Sequence, residues 1–214
     1  MKIRNTVAIA AIMIAAGFGA QAATVTVDFE GDAAGYVPNG FTSSGSSIVS
    51  FTDSIDSNLE IGDYGTQTDG KSLIVRHDDH STLIMTFSQL VSNLSLSFGN
   101  DDPFYSLAGD VAVLQGFLGG VLKGVAFVTM NRDDIMNQTI GFFGQPIDKA
   151  VFYYGRLAVG SDGSLAVNPI NLIEVVDNVT FEVPDVAEVP LPASGLLLLG
   201  AGGLLAAARR KRAA

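Results

Sequence analysis

The sequence of 214 residues contains no cysteine, no tryptophan and only two histidines. Without cysteine, the protein has no disulfide, no Cys-ligated zinc site and no thiol nucleophile. Basic residues are also few, because 12 Lys and Arg stand against 22 Asp and Glu and leave a net charge of −10. The chain therefore lacks the positive field that a phosphate backbone requires, and we expect no nucleic-acid partner. Apolar residues make up 48% of the sequence, which is enough to bury a core.

Residues 1–22 have the three parts of a secretory signal peptide. Lys2 and Arg4 form a basic start, an apolar run extends from Val7 to Phe18, and Ala20-Gln21-Ala22 has the small-x-small pattern of a cleavage site. The apolar run is too short to span a bilayer comfortably. We therefore predict an N-terminal signal helix that is removed after Ala22 during export.

The last 26 residues, 189–214, consist of a Pro-containing motif, a short apolar segment and a basic tail. Fifteen uncharged residues from Ser194 to Ala208 are predicted to form a hydrophobic helix, shorter than a usual membrane span. A basic tail after such a helix stops it in the membrane with the tail in the cytoplasm. The motif is Val189, Pro190, Leu191, Pro192 and Ala193, and the basic tail is Arg209, Arg210, Lys211 and Arg212.

This order of motif, Leu/Gly/Ala helix and Arg cluster resembles the VPLPA-CTERM sorting signal, a variant of the PEP-CTERM signals. The resemblance implies a Gram-negative envelope protein that uses the export machinery, enters the inner membrane transiently and is processed by an exosortase. It also implies a link to exopolysaccharide and biofilm, with the mature protein at the cell surface or outside the cell. The alternatives are a sortase signal, in which Ser194 replaces the required Thr, and a plain tail anchor.

Removing both terminal segments makes the remaining chain strongly acidic. All 22 acidic residues but only six basic residues lie between Ala23 and Glu188, so this part carries a net charge of −16. Such a domain repels anionic surfaces unless divalent cations intervene. Calcium is the natural extracellular cation for it, because calcium prefers carboxylate and carbonyl oxygens.

Residues 23–183 have the pattern of one antiparallel β domain. Apolar and polar residues alternate from Thr24 to Phe29, and about ten short runs of this kind are separated by Gly, Asp, Asn, Ser and Pro. Leu83–Phe87 and Leu94–Phe98 are two of these predicted strands. The pattern predicts an all-β, jelly-roll-like sandwich, joined to the sorting signal by a linker at residues 184–188.

This β domain resembles small PEP-CTERM surface proteins with a carbohydrate-binding-like jelly roll. The resemblance lies in Asp28-Phe29-Glu30-Gly31, in Val176-Asp177-Asn178-Val179-Thr180-Phe181 and in the turn Asp69-Gly70-Lys71-Ser72-Leu73. It implies that the first and last strands lie together and share a structural calcium. The implied ligands are Glu30, Asp177 and backbone oxygens of the turn from Asp69 to Lys71, with Asp28 in place of Glu30 if the register differs by two. The alternative is that these strand-end carboxylates are solvated or close Asx turns.

Two other groups of residues carry ionisable chemistry. Arg76-His77-Asp78-Asp79-His80 contains two potential metal ligands, but it lies between two apolar runs, where a polar hairpin turn is expected. Glu174 and Asp177 are three residues apart, so on a strand they point to opposite faces and do not form a glycosidase pair. With no convincing nucleophile or acid–base pair, we predict that the protein is not an enzyme.

Loop aromatics are the best candidates for ligand binding, because strand aromatics usually fill the core. Tyr64, Phe104 and Tyr105 lie in such loops. The sequence thus predicts a non-enzymatic structural or adhesive surface protein. The alternatives are a calcium-dependent carbohydrate-binding module and, less favoured, a secreted polysaccharide hydrolase.

Overall fold

The alternation of apolar and polar residues produces strands along nearly the whole central part of the chain. The computed structural model describes residues 22–159 and 165–184, which form twelve β-strands and one 3-10 turn at Gly65–Gln67. The predicted signal peptide, sorting motif, apolar helix and basic tail lie outside the described residues. Within the described ranges, no helix has the length and apolar character of a membrane span.

The strands follow one another with short connections. In chain order they are β1 Ala23–Val27, β2 Gly35–Val37, β3 Val49–Asp53, β4 Leu59–Gly62, β5 Ser72–Val75, β6 Leu83–Gly99, β7 Val111–Leu118, β8 Val121–Thr129, β9 Gln138–Phe142, β10 Ile147–Val159, β11 Leu165–Pro169 and β12 Glu174–Val183.

Every strand pair is antiparallel, and the ladders form two sheets that share β6. One sheet has the order β2-β4-β5-β12-β6-β9, and β1 adds to the edge of β12 that β5 also uses. The other has the order β3-β6-β10-β7-β8, and β11 adds to β10. The all-β antiparallel prediction is confirmed, and the arrangement is consistent with a β-sandwich.

The strand β6 is longer than predicted and belongs to both sheets. Leu83–Phe87 pairs with β3 and β10, whereas Ser92–Gly99 pairs with β12 and β9. The sequence predicts two strands here because the consecutive polar residues Ser88 and Gln89 interrupt the alternation. In the structure, Ser88, Gln89 and Leu90 are exposed. The backbone nevertheless continues through them and carries the chain from one sheet to the other.

The core lies between the two sheets and contains side chains from both. Phe98 on one sheet contacts Phe152 and Tyr154 on the other, with ring centroids 5.9 and 6.1 Å apart. Phe87 and Phe181 meet across the same core at 5.3 Å. Fully burying side chains of this size contributes about 1.5–3 kcal/mol each, so these contacts between the sheets stabilise the fold.

The hairpin prediction for residues 76–82 is wrong. The strands on either side of this segment do not pair with each other, since β5 pairs with β4 and β12 while the start of β6 pairs with β3 and β10. Residues 76–82 therefore cross from one sheet to the other and cover an end of the core. His77 and His80 are exposed, as predicted.

Candidate functional site

The pairing of β1 with β12 brings the two ends of the domain together, as the family resemblance implies. Ala23–Val27 runs antiparallel to Val179–Val183. Asp28 and Glu30 directly follow β1, and Asp177 precedes the paired part of β12. The ladder between β12 and β6 shifts register between Asp177 and Thr180, and such bulges re-aim a side chain.

The side chain of Glu30 leaves the core and contacts the turn from Asp69 to Lys71. Phe29, at a positive φ of 56°, is fully buried against Phe51 with ring centroids 5.4 Å apart. The next residue, Glu30, is exposed, and its Oε1 accepts a hydrogen bond of 2.8 Å from the backbone N–H of Lys71. A Cβ at Gly70 would overlap this same oxygen, so the glycine permits the close approach.

Asp177 is a buried carboxylate surrounded by negative charge. Only 1% of the residue is exposed, and its Oδ1 accepts a 2.6 Å hydrogen bond from the N–H of Asn178. Burial raises the pKa of Asp177 to about 7, the Asn178 N–H opposes this increase, and the charges of Asp69, Glu30 and Asp28 add to it. The carboxylates of Asp28, Glu30 and Asp69 therefore lie within electrostatic reach of Asp177, whereas the resemblance implied only backbone oxygens from the turn of Asp69.

Ser72 lies next to Asp177, although the sequence analysis did not identify it as a site residue. In the β12–β5 ladder, Val176 faces Leu73, which puts the next residues, Asp177 and Ser72, side by side. The Ser72 hydroxyl is fully buried and has no hydrogen-bond partner among the described residues. Only the strand register reveals this neighbour, since a serine at the start of a strand is common in any β protein.

We refer to Asp28, Glu30, Asp69, Ser72 and Asp177 as the Asp177 site. Its donor set is composed of oxygens, with a buried hydroxyl and several carboxylates, which is the ligand chemistry of a hard cation such as calcium. Among the described residues, no three of these carboxylates bring oxygens within 4.8 Å of one another, so a bound cation would draw the exposed side chains inward. A bound cation would remove the repulsion that raises the pKa of Asp177. Lys71 does not neutralise the site, because its Nζ donates a 2.6 Å hydrogen bond to the backbone oxygen of Asp32.

The two histidines singled out by sequence do not meet. His77 Nδ1 lies 3.7 Å from Asp56 Oδ2, and with Asp79 these residues place one ligand atom each within 4.8 Å of the others. His80 instead lines a separate groove. An exposed cluster of this kind is common without a metal, and we assign it no function.

The candidate aromatic residues divide between two pockets. Phe104 and Tyr105, which are 92% and 61% exposed, line a groove of about 620 Å³. The groove is completed by His80, Arg156, Leu157, Ala158, Asn168, Pro169, Ile170 and Asn171. Tyr64 lies elsewhere, where it lines a smaller pocket of about 160 Å³ and its hydroxyl donates a 2.8 Å hydrogen bond to Glu60 Oε1.

Comparison with known proteins gives little further information. No protein-family model matches the chain, and no curated protein matches it. Among solved structures, the chain is similar to a DUF4465 family protein from Bacteroides caccae, with 12% identity and a TM-score of 0.38. That similarity covers 82% of this chain and 99% of the other, and at this level it does not establish a shared function.

The contact between Glu30 and the turn predicts an unequal effect of two glycine substitutions. Gly70 and Gly65 have similar φ angles of 71° and 68°, but only a Cβ at Gly70 meets Glu30. We expect Gly65→Ala to cost about 1–2 kcal/mol of unfolding free energy from backbone strain alone. Gly70→Ala should cost about 0.5–1.5 kcal/mol more, because the exposed Glu30 side chain must move and release its hydrogen bond to Lys71. Urea unfolding of both variants measures the difference, and equal losses would contradict this contact.

Proposed function

We propose that the protein is an exported β-sandwich of the cell surface or matrix whose first and last strands are held together by calcium at the Asp177 site. The observation that carries this proposal is the pairing of β1 with β12 together with the contact of Glu30 with the turn from Asp69 to Lys71, which bring acidic residues to the end of the strand that holds the buried Asp177. Like charges around a buried carboxylate are unfavourable unless a cation compensates them. Calcium is the extracellular cation suited to such oxygen ligands.

The role we propose is structural or adhesive rather than enzymatic, within an exopolysaccharide layer. The net charge of −16 between the terminal segments supports it, because an acidic domain that binds divalent cations can associate with anionic polymers through them. The route is proposed from the termini: export by the signal peptide, transient inner-membrane insertion, and exosortase processing at the VPLPA motif. The pairing of β1 with β12 supports the jelly-roll-like topology that is part of this proposal.

Calcium should stabilise the folded chain. At a calcium concentration about 100 times the Kd, one site raises the free energy of unfolding by about 2.7 kcal/mol. Asp177→Asn should abolish the part of this calcium-dependent stabilisation that comes from the Asp177 site. The variant should not destabilise the chelator-treated protein, because the substitution removes a buried negative charge. Glu182→Gln, on the same strand, serves as the control.

The measurement is thermal unfolding of the purified full-length chain in calcium and in chelator, followed by circular dichroism. The proposal requires a smaller calcium-dependent rise in Tm for Asp177→Asn than for wild type and Glu182→Gln. If Asp177→Asn retains the full wild-type rise, calcium does not bind at this site.

The proposed route predicts a specific mature chain. The protein recovered from the envelope and medium of its native host should begin near Ala23 and lack the residues that follow the VPLPA motif. Intact-mass spectrometry measures both ends at once. A mature chain that retains Arg209–Arg212 would be a tail-anchored protein, and the sorting and matrix proposals would then be wrong.

A second candidate function is glycan binding in the groove beside Phe104 and Tyr105. The observation that favours it is the exposure of two neighbouring aromatic side chains next to polar groups, an arrangement suited to stacking and hydrogen bonding with a sugar. Arg156 is held in place there, because its Nε and Nη2 each donate a 2.7 Å hydrogen bond to Asp110. The groove therefore has a fixed polar wall beside exposed rings.

A glycan array distinguishes the two candidates. A binding module should show a saccharide preference that Phe104→Ala weakens by about tenfold or more, equivalent to about 1.4 kcal/mol. Phe143→Ala is the matched control, since Phe143 is also exposed but lies outside the groove. The absence of any saccharide preference would exclude the module and leave the structural role.

A further inference from the structure

A polar cluster occupies the end of the core that residues 76–82 cover. Asp53 ends β3 on the same inward face as Val49 and Phe51, and only 2% of it is exposed. Glu174 begins β12 opposite the core residue Val75, and only 1% of it is exposed. These two buried carboxylates come from different sheets.

Strand registers place two further polar residues at the same end. Asp53 faces Leu83, so Ser81, two residues before Leu83, continues the same inward face. Val75 lies between Leu59 and Glu174 in neighbouring ladders. Asn58 precedes Leu59 where that strand begins, and its amide contacts His77 of the covering segment, so it lies at the same end of the core. We refer to Asp53, Asn58, Ser81 and Glu174 as the Glu174 cluster.

The Glu174 cluster contains buried oxygens that have no partner among the described residues. All four of its residues are more than nine-tenths buried. The unpartnered atoms are Asp53 Oδ2, Asn58 Oδ1, Ser81 Oγ and both Glu174 Oε1 and Oε2. Buried polar atoms in native proteins are nearly always paired with protein, water or an ion. Such a concentration of unpaired acceptors at one place indicates a missing electropositive partner.

The charges around the cluster are of one sign. Burial raises the pKa of Glu174 well above its usual value, and the charges of Asp53 and Asp79 add to the increase. The nearby backbone N–H groups of Glu174 and Tyr154 oppose it, although neither reaches hydrogen-bond geometry with the carboxylate oxygens. Burial also raises the pKa of Asp53. The backbone N–H groups of Ile55 and Asp56 oppose this increase, and the negative charges of Asp79 and Asp56 add to it. The nearby cation Arg76 is paired elsewhere, with Glu60.

Surrounding hydrogen bonds hold these oxygens in place. The side chain of Asn39 accepts from Asp53 N–H at 2.8 Å and donates to Asp53 O at 3.1 Å, which fixes the end of β3. The Asn58 amide nitrogen is 2.9 Å from His77 Nδ1, so its oxygen is the atom left free in the interior. Asp79 Oδ1 accepts from Ser81 N–H at 2.7 Å and fixes the covering segment.

We propose that the Glu174 cluster binds a calcium ion between the two sheets, with Asp53 and Glu174 as charged ligands and Asn58 and Ser81 as neutral ones. Five oxygens from four residues, with water, supply the six to eight that calcium takes. Asp79 is a neighbouring charge rather than a ligand, because the oxygens of Asp53, Asp79 and Glu174 do not all lie within 4.8 Å of one another. The unpartnered atoms of the cluster are all oxygens, which favours a hard cation over a soft metal.

This cluster is separate from the Asp177 site and does not rest on the proposed function. Glu174 faces the core, whereas Asp177, three residues further along the same strand, faces the opposite side. The two sites share no residue, so their occupancies are measured independently.

The experiment is a calcium titration of the chelator-stripped full-length chain in mild detergent, by isothermal titration calorimetry. We expect two calcium ions for wild type and for Glu182→Gln, and one for Glu174→Gln and for Asp177→Asn. The isosteric Glu174→Gln variant keeps the packing but removes the charge. If it fails to fold, Ser81→Ala replaces it, and one of the two sites should then bind about tenfold more weakly.

The outcomes separate this inference from the proposed function. A single ion that Asp177→Asn abolishes and Glu174→Gln retains would overturn the Glu174 cluster as a calcium site. A single ion lost only in Glu174→Gln would support the cluster and contradict calcium at the Asp177 site. No bound calcium in wild type would overturn both, and Glu174 would then be a buried acid satisfied by water or by its own proton.

Discussion

The burial of two carboxylates on the central strand β12 is the constraint on which the candidate chemistry depends. Glu174 and Asp177 are each 1% exposed, on opposite faces of one strand. An ionised carboxylate taken out of water needs a compensating partner, or it becomes neutral. Neither carboxylate has an ion pair among the described residues, in which Arg76 pairs with Glu60 and Arg156 with Asp110. Because the chain is already acidic, each of these carboxylates requires either a bound cation or its own proton to remain buried.

The two positions differ in what a cation would join. At the Asp177 site the surrounding groups come from one sheet, because β1, the turn before β5 and β12 all belong to it. A cation there would tie the ends of that sheet together. At the Glu174 cluster, Asp53 and Ser81 belong to the sheet of β3, while Asn58 and Glu174 belong to the sheet of β12. A cation there would link the two sheets where the apolar core ends.

The sequence predicted the features that depend on local periodicity and on strand ends. The pairing of the first strand with the last was implied by the family resemblance, whereas alternation from Thr24 identified β1 itself. The same reasoning assigned Glu174 and Asp177 to opposite faces, which agrees with the ladder of β12 with β5. These inferences succeed because side-chain direction on a strand has a period of two regardless of the tertiary structure.

The Glu174 cluster was not predictable in the same way, because its members are separated by up to 121 positions along the chain. Periodicity shows which face a residue occupies, but it does not show which strands meet. The hairpin interpretation of residues 76–82 also concealed the cluster, because a hairpin would place Asp79 and Ser81 at an exposed tip. Ser81 is instead buried because the segment passes from one sheet to the other over the end of the core. A polar segment between two apolar runs is therefore compatible with either an exposed turn or a buried polar cover, and only the pairing of the flanking strands distinguishes them.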